Sequence, residues 1–159
     1  MLGEQQAPGG VVTSEHANVG HHHGAGDRGE ATTYGLALSL YYQGQSVVGG
    51  GNGRGTAVQL QQAADLLRPL VYAPGASRRV RQLYAGNLDY LSHTQPLEIG
   101  VKTCDEGRKV LVGLGALDLS DLDAASEYAD TADSEARHLT ALGRLEQAQQ
   151  LEQQVSVIA

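Results

Sequence analysis

The sequence predicts an α+β fold, and three observations predict it. Leu36, Leu38, Leu40 and Tyr42 alternate with Ala37, Ser39 and Tyr41, a period of two that reads as a strand. Leu97, Ile99, Val101 and Thr103 alternate again, then Val110, Val112 and Leu114 follow the turn-like Asp105-Glu106-Gly107, which together read as a β-hairpin. From residue 120 onward the apolar residues recur at three- and four-residue steps, the signature of helix. The predicted architecture is a small sheet or β-hairpin with helices, a long C-terminal helix, and a disordered N-terminal tail.

Residues 1–31 are rich in Gly, His and Gln and lack apolar periodicity, so they read as that tail. Residues 32–119 form the small α/β region. After the strand at 36–42, Ser46-Val47-Val48 resumes the extended pattern and a glycine loop follows. Thr56 is placed to cap a helix carrying Val58, Leu60, Ala63, Ala64 and Leu67, which Pro69 ends. Val71-Tyr72-Ala73 reads as a short strand. Ser77 caps a second helix with Val80, Leu83 and Tyr84, stopping near Gly86-Asn87. Residues 120–159 form the C-terminal helix or helix pair. Ser120 or Asp121 caps it, and Thr131-Ala132-Asp133-Ser134 is where it would divide.

Composition narrows the function. The formal net charge of −7 opposes general nucleic-acid binding, which needs surplus Lys and Arg at phosphates. There is no Phe or Trp, so ring-sized burial falls to the 7 tyrosines, and each buried hydroxyl needs a partner. Cys104 is the single cysteine, which rules out an internal disulfide and a cysteine zinc cage and fits a reducing compartment. The first residues show neither a basic nor an apolar signal segment, and no apolar run suits a bilayer; a cytoplasmic chain with no membrane partner is expected.

Four groups carry candidate chemistry. At 46–60 a strand end, a glycine loop and a helix start are placed to cradle a phosphate with backbone N–H groups. His21, His22 and His23 are adjacent imidazoles, which chelate Zn²⁺ or Ni²⁺ adventitiously when neutral. Arg68, Arg78, Arg79 and Arg81 form a basic patch that suits a phosphate or the acidic C-terminal helix. The acids from Asp118 to Glu135 read as a solvated helix face without an EF-hand frame. Cys104, beside Asp105 and Glu106, is no nucleophile, because neighbouring acids raise a thiol pKa.

The run Val47-Val48-Gly49-Gly50-Gly51-Asn52 resembles the NADPH-binding glycine motif of thioredoxin-reductase-like flavoproteins. The resemblance implies cofactor contacts from Gly49, Gly51 and Gly55, with Arg78 and Arg79 at the 2′-phosphate of NADPH. It covers some 35 residues, and the family's Cys-x-x-Cys pair has no counterpart.

The function expected from these readings is a non-catalytic interaction or assembly protein, meeting a protein partner or a second copy through residues 120–158. The alternative is a Rossmann-like dinucleotide-binding domain using the Gly49–Gly55 loop. A third reading, a reading frame with no evolved function, fits a chain with only Lys102 and Lys109 as lysines and with drifting periodicity.

Overall fold

The computed structural model describes residues 21–47 and 53–158, and in them it shows six helices and no strand. They are α1 (His21–Val47), α2 (Gly53–Val71), α3 (Arg78–Ser92), α4 (Leu97–Gly113), α5 (Leu122–Ala141) and α6 (Leu145–Ile158). Short connections fold them into three αα-hairpins, α1/α2, α3/α4 and α5/α6. Each helix packs on its neighbours in sequence, and α3 also touches α1 and α5. The backbones of α2 and α4, and of α4 and α6, do not approach each other closely among the described residues. The odd-numbered helices therefore form the closed, inner layer of the stack, and the even-numbered ones splay outside it.

The α+β expectation is thus corrected. The strand read at 36–42 lies inside α1, and the hairpin read at 97–114 is α4 and its C-cap. The reason is that small residues take much of the inward face of both helices while several large ones face out. In α1, Ala37 and Gly44 are buried seven residues apart while Leu36 is 53% exposed. In α4 the buried set is Gly100, Cys104, Gly107, Val110 and Leu111, at helical spacing, whereas Ile99 and Val112 face out. Gly107 is no turn residue. It lies on α4 where α4 meets α3 and α5: an added Cβ would meet Ala85 O and Thr131 Cγ2, each at 3.6 Å. At Gly100 the approach is closer still, with Ser92 O only 2.8 Å from the Cβ position.

Helix boundaries shift for local reasons. Helix α1 begins at His21, inside the stretch read as a tail; Glu30 on it accepts a hydrogen bond from Ser77 Oγ at 3.2 Å. The rest of that stretch, 1–20, lies outside the described residues. Val71 belongs to α2, so no strand forms at 71–73, and Pro69 sits within the last turn rather than ending it. Thr56 is likewise inside α2, not its cap. Ser77 does cap α3, accepting from Val80 N, but α3 runs on through Gly86-Asn87 to Ser92. Asp121 caps α5, accepting from Ala124 N.

The C-terminal region is a pair of helices, and its division falls at 142–144, not at 131–134. Gly143 has φ 78°, with Gly143 N donating to Thr140 O and Arg144 N to Leu139 O, the paired bonds of a Schellman stop. Gly115 (φ 95°) ends α4 in the same way, through Ala116 N to Leu111 O and its own N to Val112 O.

The core runs through all six helices, with Leu60, Leu67, Val80, Tyr84, Leu88, Leu111, Tyr128 and Leu139 as its large members and many alanines between them. Buried tyrosines find polar partners. Tyr84 donates to Glu106 at 2.7 Å, and Tyr128 accepts from Arg108 at 3.1 Å. Asn87 is fully buried and donates to Leu60 O at 2.8 Å, pinning α3 to α2. No described helix is long and apolar enough to cross a membrane.

Candidate functional site

Helical spacing builds a cleft on the inner layer. Tyr34, Leu38, Tyr41 and Tyr42 recur at steps of four, three and one along α1, and Arg79, Gln82, Leu83 and Gly86 at three, one and three along α3. These two rows, closed by Glu127 from α5, line a space of about 270 Å³. That is below the roughly 300–1,000 Å³ of pockets for drug-sized ligands and suits a single side chain. Gly86 keeps it open: an added Cβ would meet only the Tyr41 hydroxyl, at 3.7 Å.

Aromatic rings form one wall. Tyr41 lies 5.5 Å from Tyr42 and 5.7 Å from Tyr90, edge-on to the latter. Gln45 donates to the Tyr90 hydroxyl at 2.8 Å and steadies that ring. Burial pushes the Tyr41 hydroxyl up to about 12, helped by the nearby Tyr90 and Glu127, so it stays protonated. At the other end the Arg79 guanidinium sits over the Tyr34 ring, 4.5 Å from its centroid.

The opposite wall carries charge. Arg78 is paired with Asp121, with Nη2 to Oδ1 at 2.8 Å, and reaches Asp123 at 3.4 Å. Arg78 Nη1 donates to Gln82 Oε1 at 2.9 Å, and Gln82 Nε2 donates to Glu127 Oε1 at 3.0 Å. The chain of bonds stops there: Glu127 Oε2 is buried and has no hydrogen-bond partner. Burial raises the Glu127 carboxyl pKa, and Asp123 and Asp130 add to the rise against Gln82 and Arg78.

Two of the three larger concavities show different linings. The one among α4, α5 and α6 holds Arg108 and Glu135, which satisfy each other at 3.1 Å with Tyr128 and Asp105 completing the guanidinium. The one on the outer side of α1 and α2, lined by Leu36, Leu40, Gln62, Asp65 and Leu66, offers little beyond apolar surface.

A second polar cluster lies in the seam of α3, α4 and α5. His93 Nε2 is 3.2 Å from Ser134 Oγ and 3.7 Å from Asp89 Oδ1. The acid and the hydroxyl thus face one ring nitrogen, whereas a hydrolytic triad places the acid at the other nitrogen. His138 Nε2 is 3.2 Å from Ser92 Oγ. Ser92 gives its only proton to Asp89 O at 2.6 Å, which makes His138 Nε2 the donor. Cys104 is buried, and burial raises its thiol to about 12.

The residues singled out from sequence are scattered. Gly49 and Gly51 lie outside the described residues, while Gly55 is in the first turn of α2. Arg78 and Arg79 open α3, the first engaged with Asp121 and the second with Tyr34. Arg68 pairs with Asp65 on its own helix. His21, His22 and His23 form the start of α1. Among the described residues no group of three or more His, Cys, Asp or Glu side chains converges on a metal position. Of the apolar stripe of 120–158, Ala125, Ala132, Ala136, Leu139, Ala148 and Leu151 are buried, whereas Leu122 and Leu145 are exposed.

Sequence reading missed Tyr34, Tyr41, Tyr42, Gln82 and Glu127 as a group. Their signal is the three-four spacing on α1 and α3, which becomes visible once 34–42 is read as helix. No family model, curated protein or solved structure matches the chain.

Proposed function

We propose that this chain is an interaction protein whose inner helical face holds a segment of a partner polypeptide. Stacked helical hairpins bring side chains from successive units onto one continuous face, and such faces serve as extended binding surfaces. Here that face joins α1, α3 and α5. The C-terminal region takes part in it through Glu127 on α5. Tyr42, 58% exposed at the cleft rim, supplies the rigid amphipathic area that recognition surfaces favour.

The observation that carries this reading is the tyrosine-lined cleft between α1 and α3, with Gly86 in its wall and the exposed Tyr42 at its rim.

Selection of random peptides on the folded chain tests the proposal. Peptides that bind are expected to lose most of their affinity on Gly86→Leu, which fills the cleft and adds a better helix former. They are expected to weaken on Tyr42→Ala as well. Enriched peptides that bind Gly86→Leu as tightly as the original chain would overturn the reading.

A further inference from the structure

We infer that the outward face of the α1/α2 hairpin is a self-association surface, on which a second copy of this chain docks face to face about a two-fold axis. The inference stands apart from the interaction reading above and uses other residues.

The first observation is an asymmetry between the two ends of the stack. Hairpin α3/α4 is flanked on both sides, by α1 and α2 and by α5. Each terminal hairpin leaves one side bare. At the α5/α6 end that side is polar: between Leu145 and Val157 every exposed residue of α6 is Glu, Gln or Ser. Stacked-repeat chains need polar outer faces on their end units to stay soluble. The α1/α2 end breaks that rule. A groove of about 480 Å³ opens there between Leu36, Leu40, Gln62, Asp65 and Leu66, with no residue of α3 in its lining. Leu36 is more than half exposed in it, and Leu40 and Leu66 are only partly buried. This end carries leucines where a further hairpin would pack.

The second observation is charge, and it selects the occupant. Residues 21–71 hold Asp27, Glu30 and Asp65 against Arg28, Arg54 and Arg68, so the whole formal charge of −7 lies outside this hairpin. At the groove itself Asp65 is matched by Arg68 at 3.0 Å. Residues 78–158 carry a surplus of acids, and copies meeting there repel one another. The leucines exposed around the start of α5 show the contrast, since Leu117, Leu119 and Leu122 stand among Asp118, Asp121 and Asp123. Across α1/α2 two copies meet neutral and apolar. Such a face is complementary to itself, as a two-fold interface requires.

The third observation is size. Helix α2 has 19 residues, about 28 Å at the helical rise, and two helices side by side are about 20 Å wide. The face is then about 600 Å² in projection, on the scale of the roughly 800 Å² each partner gives to a standard interface. An interface at this small end of the range associates at micromolar concentration.

Sedimentation of the full chain from about 5 to about 500 µM tests the inference. The mass is expected to rise from near 16.7 kDa toward twice that value. Added sodium chloride screens the remaining repulsion between acidic copies and should raise the mass further. Leu36→Glu brings like charges together across the two-fold and should weaken association by about tenfold or more. Leu122→Glu makes the same change at a site 72% exposed elsewhere and should leave it unchanged. Far-UV circular dichroism reports whether Leu36→Glu is folded. Should it not be, Gly35→Glu takes its place, because an added Cβ there meets nothing within 4 Å.

A monomer at every concentration would overturn the inference, and is the result expected if another protein covers the groove. An association that salt disperses, that the folded variant leaves intact, or that Leu122→Glu weakens equally would overturn it as well. None of these results bears on the inner cleft, which Leu36 does not line.

Discussion

Gly107→Ala raises the stability of this chain, and Gly100→Ala does not. Both glycines lie inside α4, on the side that meets α3 and α5. At Gly107 the new methyl meets Ala85 O and Thr131 Cγ2 at 3.6 Å and Leu88 Cβ at 3.7 Å, ordinary contact distances. Replacing glycine by alanine within a helix gains about 1 kcal/mol. Burying the methyl adds up to about 0.8 kcal/mol. The sum, about 1–2 kcal/mol, corresponds to a rise in Tm of about 2–8 °C for a chain of this size. At Gly100 the methyl would stand 2.8 Å from Ser92 O and 3.3 Å from the His138 ring. Helices α3 and α4 must then separate, and overpacking of that kind costs about 1–3 kcal/mol. Set against the same gain of about 1 kcal/mol, the result runs from neutral to a loss of about 2 kcal/mol. Urea unfolding followed by far-UV circular dichroism reads both variants. A Gly107→Ala variant with a lowered midpoint would refute the reasoning, because that is what a glycine in a β-hairpin turn predicts.

Other parts of the fold give equally direct expectations. Arg108→Ala leaves Glu135, whose side chain is 7% exposed, as an uncompensated buried charge, and should cost about 3–5 kcal/mol in urea unfolding. The double variant Arg108→Met, Glu135→Leu should recover much of that loss. Burial lowers the His138 pKa, with His93 adding to it, so the fold favours the neutral ring. The unfolded chain then binds the proton more readily; this contribution is complete above the ordinary histidine pKa of about 6.5 and is lost as pH falls through the lower folded value. The urea midpoint should fall as pH drops below about 6.5, with a shallower fall in His138→Gln. Cys104 should resist iodoacetamide in the folded chain and react once urea exposes it, since burial holds its thiol near 12. Rapid alkylation without unfolding would contradict the packing of α4.

Much of the helical content was legible, and the errors share one cause. The elements read correctly as helix, at 56–67, 77–84 and 120 onward, bury leucine, valine or tyrosine among their alanines. Those misread, α1 and α4, turn glycine, alanine and cysteine inward along much of their length, with Val110 and Leu111 joining them only at the end of α4. Counting large apolar residues then picks out the outward face, where Leu36 and Ile99 stand, and finds a false period of two. Gly107 compounds the error, because a glycine after Asp105-Glu106 looks like a turn when it marks a close approach between helices. That approach is a tertiary fact with no local trace. The stops were a different matter: Gly115 and Gly143 follow leucine at helix ends, the pattern of a left-handed cap, and both were open to local reading.

The cleft was hidden by the same step. Tyr34, Tyr41 and Tyr42 share a face only in a helix, and Gln82 and Glu127 meet only when α3 and α5 are stacked. Part of the electrostatics was nearer the surface of the sequence, since an acidic C-terminal region and an arginine patch suggest pairing, and Arg78 meets Asp121.

The central claim is that the layer of α1, α3 and α5 is the recognition face. The most direct measurement maps a selected peptide onto the ¹⁵N-labelled chain by its amide shifts. The account predicts shifts gathered on Leu38, Tyr41, Tyr42, Leu83, Gly86 and Glu127, with α2, α4 and α6 silent. Shifts gathered instead on the outer layer, or on the apolar surface around Leu36 and Leu66, would contradict it.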